Sequence, residues 1–161
     1  MLNNSTDQKI NYITLKAGSL QGIRKNMAVI SSSGIVGKIS HVSEHYSVAV
    51  SFLSEKFKVG CRLSDSTVGF LVWDGKEPEY GILNGITQSV KVKPRDSVYT
   101  NGYSMFPENI LVGRAAQMMP GGKYKIYLST NFRKLHFVYI IAEDVDIERQ
   151  HLEEDSTQVT P

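Results

Sequence analysis

A single cysteine, Cys61, stands among 161 residues. That excludes an internal disulfide and a cysteine-rich zinc site. Within "KFKVGCRL" it reads as a small core hydrophobe and not as a nucleophile. Eighteen basic side chains face sixteen acidic ones, leaving a formal charge of +2. Nucleic-acid binders carry a dense basic stripe, whereas Lys and Arg are scattered here, so no nucleic-acid partner is expected. No stretch approaches the ~20 apolar residues that cross a bilayer as a helix. The longest apolar run, Phe137 to Ala142, has the length of a strand. No charged-then-apolar signal segment opens the chain, and helical periodicity is nearly missing.

What is present is a rhythm of short strands. Hydrophobic residues make up 41%, enough for a packed core, and charged residues only 21%, which argues against wholesale disorder. "INYITL", "MAVIS", "GIVGKISHV", "SVAVSF", "FKVGCRL" and "GFLVW" are separated by Gly, Ser, Asn or charged turns. "YGIL", "SVYT", "ILVGRAA", "KYKIYLS" and "LHFVYIIA" continue the pattern. This spacing predicts an all-β barrel or sandwich. In "GGKYKIYL", Tyr124, Ile126 and Leu128 alternate with Lys123, Lys125 and Tyr127, so one face is apolar.

The chain also repeats itself. Tyr12-Ile13-Thr14-Leu15 matches Tyr80-Gly81-Ile82-Leu83, and Met27 to Ser31 matches Asp96 to Thr100. Gly37-Lys38 falls on Gly113-Arg114, and "SVAVSF" answers "KIYLST". Phe57 falls on Leu135, Val59 on Phe137 and Cys61 on Tyr139. The second copy carries a longer insert, "NGYSMFPEN". We expect two tandem six-stranded β-barrels from an internal duplication: a polar lead-in over 1–9, a first barrel over 10–78, a second over 79–147, and an acidic flexible tail over 148–161. Each copy is too short for a large core of its own, so the two are expected to pack on each other.

Several stretches mimic chemistry. "SGIVGKIS" ends like a phosphate loop, but Ser32 occupies the position of the first glycine and Ile39 that of the magnesium-binding hydroxyl. Its echo at Val112-Gly113-Arg114 makes Gly34, Val36, Gly37 and Lys38 architectural. His41 and His45 have zinc-like spacing only on a helix; in a strand they lie roughly 13 Å apart, so no metal is expected. Asp74, Glu77 and Glu79 read as a solvated loop, and Arg24-Lys25 and Arg133-Lys134 as solvated faces. Trp73, Tyr103 and Phe106 lie in loops. Large aromatics there either anchor a protein partner or plug the barrel ends and the seam between copies.

The ordered set of motifs resembles one known family. "NYITLKAGSLQGIRKNMAVISSSGIVGKISHVSEHYSVAVSF" is similar to the start of the globular region of MreC, the bacterial rod-shape-determining family. "FLVWDGKEPEYGIL" resembles the Trp-x-Gly segment of its Bacteroidetes-type members. "DSVYTNGYSMFPENILVGRA" resembles its Asp-x-Val-x-Thr-Ser-Gly signature, carried by Asp96, Val98, Thr100, Gly102, Phe106, Pro107, Ile110, Val112 and Gly113. Arg95 stands where the family usually has Gly, and Asn101 where it has Ser; both are read as falling in one turn.

The resemblance implies a non-enzymatic scaffold of cell-wall elongation at the periplasmic face of the inner membrane, without cofactors. It implies binding to an elongation-specific penicillin-binding transpeptidase and its glycosyltransferase partner, to MreB and MreD, and to itself. The family's membrane helix and coiled coil precede this region, so the chain is expected to be a soluble fragment, with Met1 a cloning start. Two alternatives are an OB- or SH3-like ligand-binding barrel and an inactive chymotrypsin-like one. A peptidase needs an activated serine; Gly102-Tyr103-Ser104 is the nearest approach, and His41 and His45 stand in an unusual relation to Asp65 or Asp74.

Overall fold

The computed structural model describes residues 1–87 and 89–142. The strands are β1 (Asn3–Asn4), β2 (Ile10–Leu15), β3 (Ala28–Ile30), β4 (Ile35–Val42), β5 (Ser47–Ser54) and β6 (Val59–Leu63). They continue with β7 (Val68–Val72), β8 (Tyr80–Asn84), β9 (Ser97–Thr100), β10 (Leu111–Met119), β11 (Lys123–Leu128) and β12 (Tyr139–Ile141). Two one-turn 3₁₀ helices, Ser19–Gln21 and Phe132–Lys134, interrupt them. Alternation sets the faces: β11 buries Tyr124, Ile126 and Leu128, and β2 buries Asn11, Ile13 and Leu15. Asn11 is satisfied inside, its side-chain nitrogen donating to the Gln8 and Leu53 carbonyls.

The strands form two six-stranded sheets. One runs β1-β2-β5-β4-β3-β12, and the other closes as a barrel in the order β10-β11-β8-β7-β6-β9. The expectation of two closed barrels is therefore corrected to one closed barrel and one open sheet. The difference lies in β7. It pairs with β6 on one side and β8 on the other and so joins the ends of its sheet. In the open sheet, the outer side of β2 meets only the two-residue β1. Asn4 Nδ2 donates to the Phe132 carbonyl at 2.8 Å, drawing β1 toward the segment that precedes β12.

The sheets do not divide at the sequence boundary of 78/79. β6 and β7 lie in the closed barrel, and β12 joins the open sheet beside β3. Residues 3–4 of the expected lead-in belong to that sheet. The tail at 148–161 lies outside the described residues.

The repeat is visible in the ladders themselves. Val29 pairs with Gly37 as Val98 pairs with Gly113, and Ala28 with Lys38 as Ser97 with Arg114. Tyr12 opposes Val50 as Tyr80 opposes Tyr127. The fifth strands are exchanged alike: Arg62 and Leu63 face Tyr99 and Val98, while Tyr139 and Ile140 face Ile30 and Val29. Arg62 thus corresponds to Tyr139, so the sequence match of Cys61 with Tyr139 is one residue out. A shift of one turns a strand over: Val59 and Cys61 are buried, while Phe137 and Tyr139 point outward.

Close backbone approach explains two glycines. A Cβ on Gly37 would overlap the Val50 carbonyl oxygen, and one on Gly113 the Tyr127 carbonyl oxygen. Gly34 lies at the seam between sheets, where a Cβ would meet the Leu111 oxygen at 2.6 Å. Beside it the Thr130 hydroxyl donates to the Ile35 carbonyl at 2.8 Å. One hydrophobic cluster runs through both sheets, with the Phe52 ring 6.1 Å from Phe57 and 6.5 Å from Phe132.

Arg95 and Asn101 do not share a turn; they flank β9. Arg95 has φ +70°, and its counterpart Asn26 also has φ +70°. Their N–H groups donate to Ala115 and Ile39 at 2.7 and 2.8 Å. A glycine at 95 suits this left-handed backbone better than arginine does.

Gly37→Ala and Gly113→Ala should each cost roughly 3 kcal/mol, read as a lower urea midpoint with unchanged slope. Arg95→Gly should gain about 0.5 kcal/mol and exceed the gain from Asn26→Gly, because Asn tolerates this conformation. A chain nicked in the 73–79 loop should elute from a sizing column as one particle and separate only in urea. Release of a stably folded half would contradict strand exchange.

Candidate partner-binding surfaces

The insert between β9 and β10 is held by Thr100. Its hydroxyl donates to the Pro107 carbonyl at 2.5 Å and accepts from Ile110 N at 2.9 Å. Asn101 Oδ1 accepts from Tyr103 N at 3.0 Å, and Gly102 turns the chain with φ +80°. This clamp drives Phe106 into the core, where it is 1% exposed, and leaves Tyr103 85% exposed. Trp73 is also buried, at 5%, with Nε1 donating to the Glu77 carbonyl at 3.0 Å. Of the three loop aromatics, only Tyr103 is available to another molecule. Trp73 and Phe106 fill the interior because a small barrel needs large side chains to stop its ends.

Two further aromatics escaped sequence reasoning. Phe137, two residues before the edge strand β12, is 82% exposed, and Tyr139, at its first position, is 59% exposed. The alternation in "LHFVYIIA" puts them on one face, but the misplaced register assigned that face to the core. Val36 and Val112 are buried, whereas Lys38 is partly exposed and Arg114 exposed.

The residues considered for catalysis are spent locally. Asp65 accepts from Thr67 N at 3.0 Å, which holds its pKa below the ordinary value. Asp74 accepts from Lys76 N, and His41 meets Ser40. The Ser104 hydroxyl is buried without a hydrogen-bond partner, so no base reaches it. Among the described residues no group of three His, Cys, Asp or Glu side chains could hold a metal. Glu77 sits 3.7 Å from Lys125 Nζ, and Lys125 lies over the Tyr80 ring at 4.0 Å. Burial pushes the Cys61 thiol up to about 12, the value of an inert core thiol.

A cleft of about 340 Å³ opens beside the second 3₁₀ turn, where β10 begins and β11 ends. Pro78, Leu111 and Tyr127 line it together with Glu79, Arg114, Arg133 and Lys134. Arg133 Nε donates to Glu79 Oε1 at 2.7 Å and holds that carboxyl below its ordinary pKa. The expected solvated face at Arg133-Lys134 is thus part of a concave surface.

Comparison with known proteins places this geometry. A family model described as "Rod shape-determining protein MreC, barrel core" matches residues 1–142. The chain belongs to the MreC family. The cell shape-determining protein MreC of Cereibacter sphaeroides is 26% identical over 130 residues, 80% of this chain and 43% of that protein. The chain thus spans less than half the length of that relative. MreC from Pseudomonas aeruginosa shares the fold at a TM-score of 0.74 with 15% identity, over 81% of this chain and 88% of the other. MreC of Helicobacter pylori, solved in complex with a penicillin-binding protein (PBP2), matches at a TM-score of 0.57 and 15% identity. That match covers 81% of this chain and 96% of the other. The described MreC residues hold no helix long and apolar enough to cross a membrane.

Phe106→Ala and Trp73→Ala should each lower stability by about 3–5 kcal/mol, and Tyr103→Ala by under about 0.5 kcal/mol, measured as urea midpoints. Cys61 should resist a thiol reagent in the native chain and react once unfolded. Because its folded pKa is raised, its contribution to stability is full below the unfolded value of 9.0 and is lost as pH rises toward about 12.

Proposed function

We propose that this chain is the partner-binding module of a non-enzymatic scaffold for cell-wall elongation, holding a penicillin-binding transpeptidase at the periplasmic face of the inner membrane. The observation that carries this reading is a rigid β frame displaying Tyr103, Phe137 and Tyr139 to solvent, in a family one of whose members was solved with a penicillin-binding protein. Exposed aromatics on a fixed frame bury large area at little entropic cost, which suits an interface anchor. The mechanism is tethering: two bound partners meet at raised effective concentration, and differential affinity biases a partner's conformation.

In the same proposal the scaffold also contacts MreB, MreD and further copies of itself through segments of the parent protein. The units 10–78 and 79–147 descend from one duplicated module, and the open sheet acts as a second barrel with a single unpaired seam. The matching ladders and the Asn4–Phe132 bridge support this.

Surface plasmon resonance with the transpeptidase ectodomain tests the reading. The unmodified chain should bind, and Tyr103→Ala or Phe137→Ala should weaken binding about tenfold or more while leaving the melting curve unchanged. A chain that fails to bind the ectodomain under any condition is not this scaffold.

A further inference from the structure

The cleft beside the second 3₁₀ turn has a chemistry that the loop aromatics do not share. Its polar floor is already spent inward: the Ser129 hydroxyl lies 3.1 and 3.0 Å from the Leu111 and Val112 carbonyls, and Thr130 donates to Ile35. Pro78, Leu111 and the half-exposed Tyr127 provide apolar walls. The lining carries three cations, Arg114, Arg133 and Lys134, against one carboxylate, Glu79, and that carboxylate is committed to Arg133. The lining therefore carries an excess of two positive charges. Arg114 spends one nitrogen on Ser97 Oγ at 3.0 Å. Lys134 forms no ion pair among the described residues.

Resting on the scaffold reading above, we propose that this cleft docks an acidic, extended segment of the protein partner. One aliphatic or aromatic side chain of that segment packs among Pro78, Leu111 and Tyr127, and its carboxylates face Arg114 and Lys134. Charge complementarity selects the anion, since a guanidinium can pair with a carboxylate through two hydrogen bonds. The apolar walls select a peptide over a free inorganic anion, which would leave that surface unused. A cleft of this volume takes one anchor side chain and its flanks, not a folded domain. Tyr103, Phe137 and Tyr139 then supply bulk contact, and the cleft supplies register and sign.

The test uses the full chain and a fluorescein-labelled peptide of alternating Glu and Leu, followed by fluorescence anisotropy at low and high salt. The peptide should bind, more weakly as salt rises, and a Lys-Leu peptide should not. Arg114→Glu and Lys134→Glu should each reduce affinity about tenfold. Lys123→Glu, at the opposite end of β11, serves as the charge-matched control and should change it little. Arg114→Gln covers the case of a reversal that perturbs folding, and should show a smaller loss with an unchanged melting curve. Equal losses for Lys123→Glu and Arg114→Glu would reduce the effect to net charge and overturn the proposal. So would peptide binding that appears only when Glu153, Glu154 and Asp155 are neutralised, which would make the chain's own acidic end the occupant. The same variants are then titrated with the transpeptidase ectodomain. Undiminished binding by Arg114→Glu and Lys134→Glu removes the cleft and leaves the scaffold reading standing. Peptide binding with no ectodomain binding removes the scaffold reading and leaves an acidic-peptide site.

Discussion

Two exchanged strands hold the molecule together. β6 leaves its own unit to pair with β9, and β12 crosses back to pair with β3. With β7, which pairs with β8, the closed barrel takes two ladders across the 78/79 boundary, and the open sheet takes one. Backbone N–H and C=O groups taken from water must find partners, so neither half can complete its sheet alone. The shared hydrophobic cluster follows from this arrangement. So does the position of the seam, where Gly34, Ser129 and Thr130 allow the two sheets to touch.

The frame has a second constraint at the glycines. Gly37 and Gly113 let β4 and β10 lie against the carbonyls of Val50 and Tyr127, closer than any side chain permits. The basic residue after each one faces away from the interior. This accounts for the resemblance of "SGIVGKIS" to a phosphate loop. The small residue is there for strand approach, and the cation is there because the next position points outward. In the second unit that outward cation, Arg114, became part of a concave surface. One architectural position thus carries different roles in the two halves.

Much of the frame was legible from the chain alone. The alternation in β11 marked its buried face, and "INYITL" was read as the strand β2. The repeat of Tyr12–Leu15 in Tyr80–Leu83 anticipated the shared order of strands, although the match of "SVAVSF" to "KIYLST" is one residue out. The candidate site was less legible. Loop position marked Trp73, Tyr103 and Phe106 equally, yet the Thr100 clamp sends Phe106 inward and Tyr103 outward. Phe137 and Tyr139 were missed because a match one residue out turns a strand's faces over. Arg133 and Lys134 were read as a plain charged surface. Nothing local shows that the 3₁₀ turn brings them beside the ends of β10 and β11.

The division follows from the range of the interactions. Strand content, turn positions, the duplicated order of elements and the family are written in local patterns, because period-two alternation and glycine backbone freedom act within a few residues. Sheet membership, closure of one sheet only, and the sorting of aromatics into buried plugs and exposed side chains were settled in three dimensions. Those outcomes depend on hydrogen bonds and packing between residues far apart in the chain, such as Val98 with Leu63 or Ala28 with Ile141. A strand's own residues specify that it must pair, and only the assembled fold specifies with which neighbour.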